Sequence, residues 1–261
     1  DGRFTARLEC EAMDVRVSCI PTIEGESLVL RLFARDHSPL ELDGLGMPER
    51  IRTHVSELAR RSAGFLVICG PTGCGKTTTL HAALRTINTG ERNIITVEDP
   101  VEYHLPGIEQ VQTNEAAGLT FDVLLRRVLR QDPDVIMVGE VRDEPTAALA
   151  ARAALTGHLV FATLHAPTAF LARDRLVDLG VVAPLLDLLR PTVLSQRLVR
   201  TRCPSCRNGC ERCFGTGLRG RTGLFGLLQP DGAHVSMQED GRTKVRNGTT
   251  TEGELAWALT G

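Results

Sequence analysis

The sequence has 261 residues with 30 Lys and Arg against 32 Asp and Glu, a formal net charge of −2, so no global basic field draws it to nucleic acid or to an anionic membrane. Charged residues at 24% and apolar residues at 42% are ordinary for a globular protein, but aromatics are only 4%, too few for platforms that stack single-stranded bases. No apolar run approaches the roughly 18–20 residues that span a bilayer, and no basic stretch followed by an apolar one marks a signal peptide.

Residues 1–34 alternate apolar and polar, as in Val15-Arg16-Val17-Ser18-Cys19-Ile20 and Leu28-Val29-Leu30-Arg31-Leu32. Period two predicts two or three strands, with a turn at Gly25. That is too little for a stable domain, and because the chain opens at Asp1 the expectation is the tail of a domain whose beginning lies upstream. Residues 35–46, with Pro39, Gly44 and Gly46, read as a linker. From residue 47 onward the pattern becomes α/β. A helix is predicted over Pro48–Arg61, a buried strand over Phe65–Cys69 and a helix over Lys76–Ile87. Strands follow at Ile94–Val97, Val135–Val138 and Leu159–Thr163, with helical stretches between. This alternation predicts a mostly parallel sheet covered by helices on both faces.

Between the first of these strands and its helix runs Gly70-Pro71-Thr72-Gly73-Cys74-Gly75-Lys76-Thr77-Thr78. Gly-x-x-x-x-Gly-Lys-Thr in a strand–loop–helix context is a phosphate-binding loop. Its glycines let backbone N–H groups wrap a phosphate, and the helix start adds partial positive charge. Lys76 can reach the terminal phosphates, and the Thr77 hydroxyl is the expected Mg²⁺ ligand. Asp132-Pro133-Asp134-Val135-Ile136-Met137-Val138-Gly139-Glu140 is an apolar strand ending in an acid. A carboxylate at the carboxyl end of a parallel strand sits where Mg²⁺ and an attacking water lie. Gly139 occupies the place where an Asp is usual, so Glu140 is the acid at this tip. A second strand ends in Glu98-Asp99-Pro100-Val101-Glu102. Glu98 is the candidate there to orient water and Glu102 a surface acid; the sequence does not rank Glu98 against Glu140 as general base. His158 and His165 bracket the third strand, and both are candidate phosphate sensors.

Eight cysteines divide into four scattered ones, Cys10, Cys19, Cys69 and Cys74, and the cluster Cys203, Cys206, Cys210 and Cys213. Scattered thiols suggest a reducing compartment. Two Cys-x-x-Cys knuckles supply four sulfurs for a structural Zn²⁺. Only Arg207, Asn208 and Gly209 separate the pairs, a connector short enough to strain the site.

Four blocks together resemble the ATPases of type II secretion and type IV pilus assembly: the phosphate loop; Thr96-Val97-Glu98-Asp99-Pro100-Val101-Glu102-Tyr103; Leu129-Arg130 through Glu140 to Arg142-Asp143; and Thr156-Gly157-His158 to Thr163-Leu164-His165. Gln196-Arg197-Leu198-Val199-Arg200 and Gly220-Arg221-Thr222-Gly223 match as well. The resemblance implies a RecA-like core over residues 47–261 with a zinc subdomain at about 203–217, preceded over 1–34 by the end of a PAS-like domain. It implies ATP, Mg²⁺ and Zn²⁺ as cofactors. It also implies a cytoplasmic homohexamer, held at the inner membrane through platform and anchoring proteins, that powers pseudopilus or pilus assembly without binding nucleic acid. Arg16 and Arg31 match the arginines that complete the site from the N-terminal domain, and Arg126 and Arg130 match subunit-contact positions. Retraction ATPases share the four blocks and as a group lack the cysteines. Cys74 stands where Ser is usual, which suggests an oxidisable site. The cysteine connector and the stretch after Leu228 are shorter than in the resembled family. Deletions or absent loops both account for this, and the return of family-like sequence at Asp240-Gly241-Arg242-Thr243-Lys244 favours absent loops.

Overall fold

The computed structural model describes residues 2–8, 11–34, 41–206 and 209–260, which divide into two compact units at the boundary between Leu40 and Glu41. The small unit is an antiparallel meander of β1 (Gly2–Leu8), β2 (Glu11–Thr22) and β3 (Gly25–Ala34). Its register sets Val15 opposite Leu32, Val17 opposite Leu30 and Cys19 opposite Leu28, so the period-two pattern collects these residues on one face. Arg16 and Arg31 pair across β2 and β3 on the other.

The large unit is an α/β fold. A 3₁₀ turn at Leu42–Leu45 leads to α1 (Glu49–Ala59) and β4 (Gly64–Cys69). Then come α2 (Lys76–Arg85), β5 (Ile94–Glu98), β6 (Glu109–Gln112), α3 (Phe121–Val128), β7 (Val135–Val138), α4 (Glu144–Leu155) and β8 (Leu159–Leu164). The chain continues through α5 (Ala169–Asp178), α6 (Ala183–Leu189), β9 (Thr192–Arg202), β10 (Leu218–Leu228), β11 (His234–Val235), α7 (Met237–Arg246) and α8 (Glu252–Thr260). The sheet order is β11-β10-β9-β4-β8-β7-β5-β6, parallel from β9 to β6, with β10 and β11 antiparallel at one edge. The central strands are apolar throughout because helices cover both faces. Ile51, Leu80 and Leu84 pack with Leu66 and Ile68 on one side, and Leu125, Ala150 and Ala151 with Val67 and Val138 on the other. Alanines let α4 approach the sheet closely, and Asp143 caps it by accepting from the Thr146 N–H at 2.8 Å.

The expected linker is shorter than its composition suggested. Residues 41–46 belong to the core: Leu42 and Leu45, three apart on the 3₁₀ turn, bury beside Met47, Ile51 and Val55. Residues 35–40 lie outside the described residues. Arg126 is on α3, ion-paired with Asp122, while Arg130 lies beyond the end of that helix, so the two do not share a helical face. Both are exposed.

The antiparallel edge is tied to α7 by a hydrogen bond from β10 to a buried ion pair within that helix. Lys244 Nζ donates to both Asp240 oxygens at 2.6 and 2.7 Å, and the Phe225 N–H donates to Asp240 at 2.9 Å. Burial pushes the Asp240 carboxyl up and the Lys244 ammonium down, so each charge depends on the other. Lys244→Met is expected to cost about 3–5 kcal/mol by stranding the carboxylate, read by urea unfolding. Adding Asp240→Asn should restore most of the loss; a single variant of unchanged stability would refute the role.

Candidate functional site

The phosphate loop leaves the carboxyl end of β4 and enters α2. Gly70, Gly73 and Gly75 have φ of +153°, +76° and +88°. Gly73 opens to space, as a phosphate cradle requires, but Gly70 and Gly75 are constrained by protein. A Cβ on Gly75 would lie 2.9 Å from Gln196 Nε2, and one on Gly70 would lie 2.4 Å from the Gln196 carbonyl. Gln196, on β9, is buried with both amide atoms used: Nε2 donates to the Cys74 carbonyl at 2.8 Å, and Oε1 accepts from Thr79 Oγ1 of α2 at 2.7 Å. It braces the loop and the first turns of its helix together. Lys76 folds across the loop, donating to the carbonyls of Gly70 at 2.9 Å and Pro71 at 3.0 Å. Pro71 and Thr72 are exposed, and Thr77 and Thr78 half-buried on the first turn. The Arg197 guanidinium donates to the carbonyls of Gln196 and Pro167 at 3.2 and 2.8 Å, beside Gly70. Cys74 is buried, and burial pushes its thiol up. It is a protonated, covered filler of the loop, which removes the ground for expecting an oxidisable site.

The pairing of β4 with β8 decides between the histidines. The strands are parallel, with Gly64 opposite Leu159 and Cys69 opposite Leu164. His165 therefore emerges at the loop end and His158 at the far end, where its Nδ1 lies 3.0 Å from the Ala153 carbonyl of α4. His158 is structural, and its expected phosphate contact is withdrawn. His165 Nε2 lies 2.7 Å from Glu140 Oε1, and Arg142 donates to Glu140 Oε2 at 2.6 Å. Arg142 also lies 3.6 Å from Asp99. Burial raises the Glu140 carboxyl, but the Arg142 hydrogen bond and charge, with the charges of His165 and Lys76, outweigh it and hold the group below the usual carboxylate range. Glu140 is thus an ionised acid within the field of Lys76. A Cβ on Gly139 would lie 3.0 Å from the Val97 carbonyl and 3.2 Å from Glu98 Cα, so any side chain here would press on the neighbouring strand.

Glu98 is differently placed. It ends β5 but is 1% exposed, with Oε2 3.0 Å from His81 Nε2 and Oε1 accepting from Thr96 at 2.7 Å and Gln110 at 3.0 Å. Burial pushes its carboxyl up; the His81, Thr96 and Gln110 hydrogen bonds outweigh that and hold it low. Glu102 is exposed. Sequence reasoning missed Gln196, Arg142 and His81 as individuals. A polar Ser195-Gln196 pair ending the buried run Thr192-Val193-Leu194 was the available signal for the first.

The donors fit the groups the loop implies. Loop N–H groups, the α2 start and Lys76 suit polyphosphate. The Thr77 hydroxyl and Glu140 carboxylate are the hard oxygen ligands that Mg²⁺ takes.

The cysteines converge. All four sulfurs lie within 4.8 Å of one another, with Cys203–Cys210 at 3.9 Å, Cys206–Cys213 at 3.5 Å and Cys210–Cys213 at 3.7 Å. A tetrahedron of thiolates about 2.3 Å from zinc has edges of about 3.8 Å, so the set fits Zn²⁺ despite its connector. Gly209, at φ +119°, makes this possible: a Cβ there would lie 2.5 Å from the Gly215 carbonyl. Backbone N–H groups of Cys210 and Gly217 also point at Cys213 Sγ, at 3.1 and 3.3 Å. Purified, reduced protein is expected to carry about one zinc per chain by elemental analysis, and Cys206→Ser to lower that content sharply. Metal-free reduced protein would reject the site.

Comparison with known proteins follows this geometry. Residues 1–257 match the model of the family described as "Type II/IV secretion system protein". The type II secretion system protein E of Dickeya dadantii is 43% identical over 300 residues, covering 98% of this chain and 60% of that protein. Its counterpart from Aeromonas hydrophila is 47% identical over 259 residues, covering 89% of this chain and 52% of that protein. The chain thus spans between half and three-fifths of these relatives, and because the first alignment exceeds its 261 residues, that relative carries residues it lacks. A crystal structure titled as the pilus retraction motor PilT with bound ADP superposes with a TM-score of 0.73 at 28% identity, covering 98% of this chain and 77% of that one. Among the described residues no helix is long and apolar enough to cross a membrane. With its RecA-like sheet, phosphate loop and strand-tip acids in place, the chain belongs to the type II/IV secretion system protein family.

Proposed function

We propose that this chain is the nucleotide-hydrolysing part of a secretion motor, converting ATP and water to ADP and phosphate to drive pseudopilus assembly in type II secretion. The observation that carries this reading is the meeting of Lys76 and the phosphate loop with the ionised Glu140–His165 pair at one end of the sheet. The loop N–H groups and Lys76 bind and orient the β- and γ-phosphates. Thr77 and Glu140 would hold Mg²⁺, whose charge would offset that of the phosphates. Glu140 receives the proton of the attacking water, and His165 and Arg142 fix its two oxygens. Glu98 is the weaker candidate for base, since its carboxylate is closed off from water at 1% exposure whereas Glu140 is partly exposed.

Arg16 and Arg31 are assigned to the γ-phosphate from the small unit. In a homohexamer a neighbouring subunit can present this pair, which makes turnover depend on assembly. The ring would work on the cytoplasmic face of the inner membrane, held there by platform and anchoring proteins. Pilus assembly or retraction is the second reading, favoured by the likeness to PilT; the cysteine cluster argues against retraction, and the protein E relatives favour type II secretion.

Glu140→Gln is expected to reduce ATP hydrolysis by about 10²–10⁴-fold while nucleotide binding persists, and Lys76→Ala to weaken binding as well. Steady-state phosphate release, with fluorescent-nucleotide titration of the same samples, checks both. Full turnover in Glu140→Gln would remove Glu140 from the base role.

A further inference from the structure

Beneath the phosphate loop lies a buried pair of titratable side chains that no step above uses. His81 follows Thr77 by one helical turn on α2, so the two share a helix face. His81 and Glu98 are each 1% exposed, with His81 Nε2 3.0 Å from Glu98 Oε2. Thr96 and Gln110 serve Oε1, so among the described residues His81 alone serves Oε2. The other ring nitrogen, Nδ1, is buried and has no hydrogen-bond partner among the described residues. A proton there would be an unsatisfied donor on a buried cation, a costly arrangement. The geometry therefore selects the ring with its hydrogen on Nε2 and a lone pair on Nδ1, which leaves the pair with the carboxylate's negative charge. On its other side Glu98 backs directly onto Gly139, where a Cβ would come within 3.7 Å of Glu98 Cγ. The charge lies between α2, one turn beyond Thr77, and the residue that precedes Glu140 at its strand tip.

We infer that Glu98 is the buried counter-charge for the divalent cation that accompanies the nucleotide, and that His81 is the positioning residue that holds its carboxylate in place. Glu98 acts through its field, being too buried to serve as a ligand. The inference rests on the reading of the loop as a Mg²⁺–nucleotide site, and it gives Glu98 a purpose other than activating water.

The test titrates Mg²⁺ against a fluorescent ADP analogue bound to the full chain, a binding readout independent of turnover. Glu98→Gln is expected to need about tenfold more Mg²⁺ for the half-maximal gain in affinity, the effect of losing one charge at intermediate dielectric, and His81→Leu, which strips Oε2 of its donor, to shift the midpoint in the same direction. Affinity in EDTA should stay within about twofold, since loop contacts to phosphate are untouched. His81→Gln, whose amide N–H can replace Nε2–H, should keep the parent's Mg²⁺ midpoint. Circular dichroism confirms folding, and the two His81 variants decide the matter if Glu98→Gln does not fold. An unchanged Mg²⁺ midpoint in folded Glu98→Gln or His81→Leu would overturn the inference, as would a His81→Gln variant as impaired as His81→Leu. A parent chain that binds no ADP analogue would refute the nucleotide reading, and this inference with it.

Discussion

Everything at this site depends on the parallel register that sets β4 between β8 and β9. Cys69 pairs with Leu164 on one side and Ser195 on the other. That pairing brings the phosphate loop, His165 and Gln196 to the same end of the sheet, although they come from segments some 30 to 120 residues apart. β7 and β5 extend the row and add Glu140 and Glu98. The strands are long apolar runs buried on both faces, so a slip in register would move charged strand ends into the core. Burial of the strands therefore also fixes the chemistry at their tips.

Buried polar groups then shape the loop. Gln196 bonds the loop through its amide nitrogen and α2 through its amide oxygen, and removing the amide would leave Cys74 and Thr79 with unmet hydrogen bonds in the interior. Lys76 is held by loop carbonyls, which direct its ammonium toward the cradle. Preorganisation of this kind lowers the ordering required on binding. It also gives the glycines two different purposes. Gly73 keeps the cradle open, whereas Gly70 and Gly75 admit Gln196.

Much of this was legible in the sequence because it is local. Apolar runs bounded by turns located β4, β5, β7 and β8 to within a residue or two, and the strand–loop–helix context identified the phosphate loop. The paired Cys-x-x-Cys pattern named four ligands that do converge. What was not legible required tertiary pairing. Gln196 reaches across 122 residues to Cys74, whereas its neighbourhood marks it only as a polar residue at the end of a buried run. His81 looks like one more helix residue until β5 is seen beside α2. His158 shares with His165 the signature of a histidine at a strand end, and only the parallel pairing of β4 with β8 shows that its end faces away from the loop. Leu42 and Leu45 were lost to the glycines around them, although their spacing of three fits a buried 3₁₀ turn.

The central claim is that the loop is a phosphate site whose shape is set in advance by Gln196. The most direct measurement is the affinity of Gln196→Leu for a fluorescent ADP analogue, compared with the parent, with circular dichroism as a check on folding. Loss of two buried hydrogen bonds to the loop and its helix is predicted to weaken binding by about tenfold or more without unfolding the chain. A folded Gln196→Leu variant that binds as tightly as the parent would contradict it.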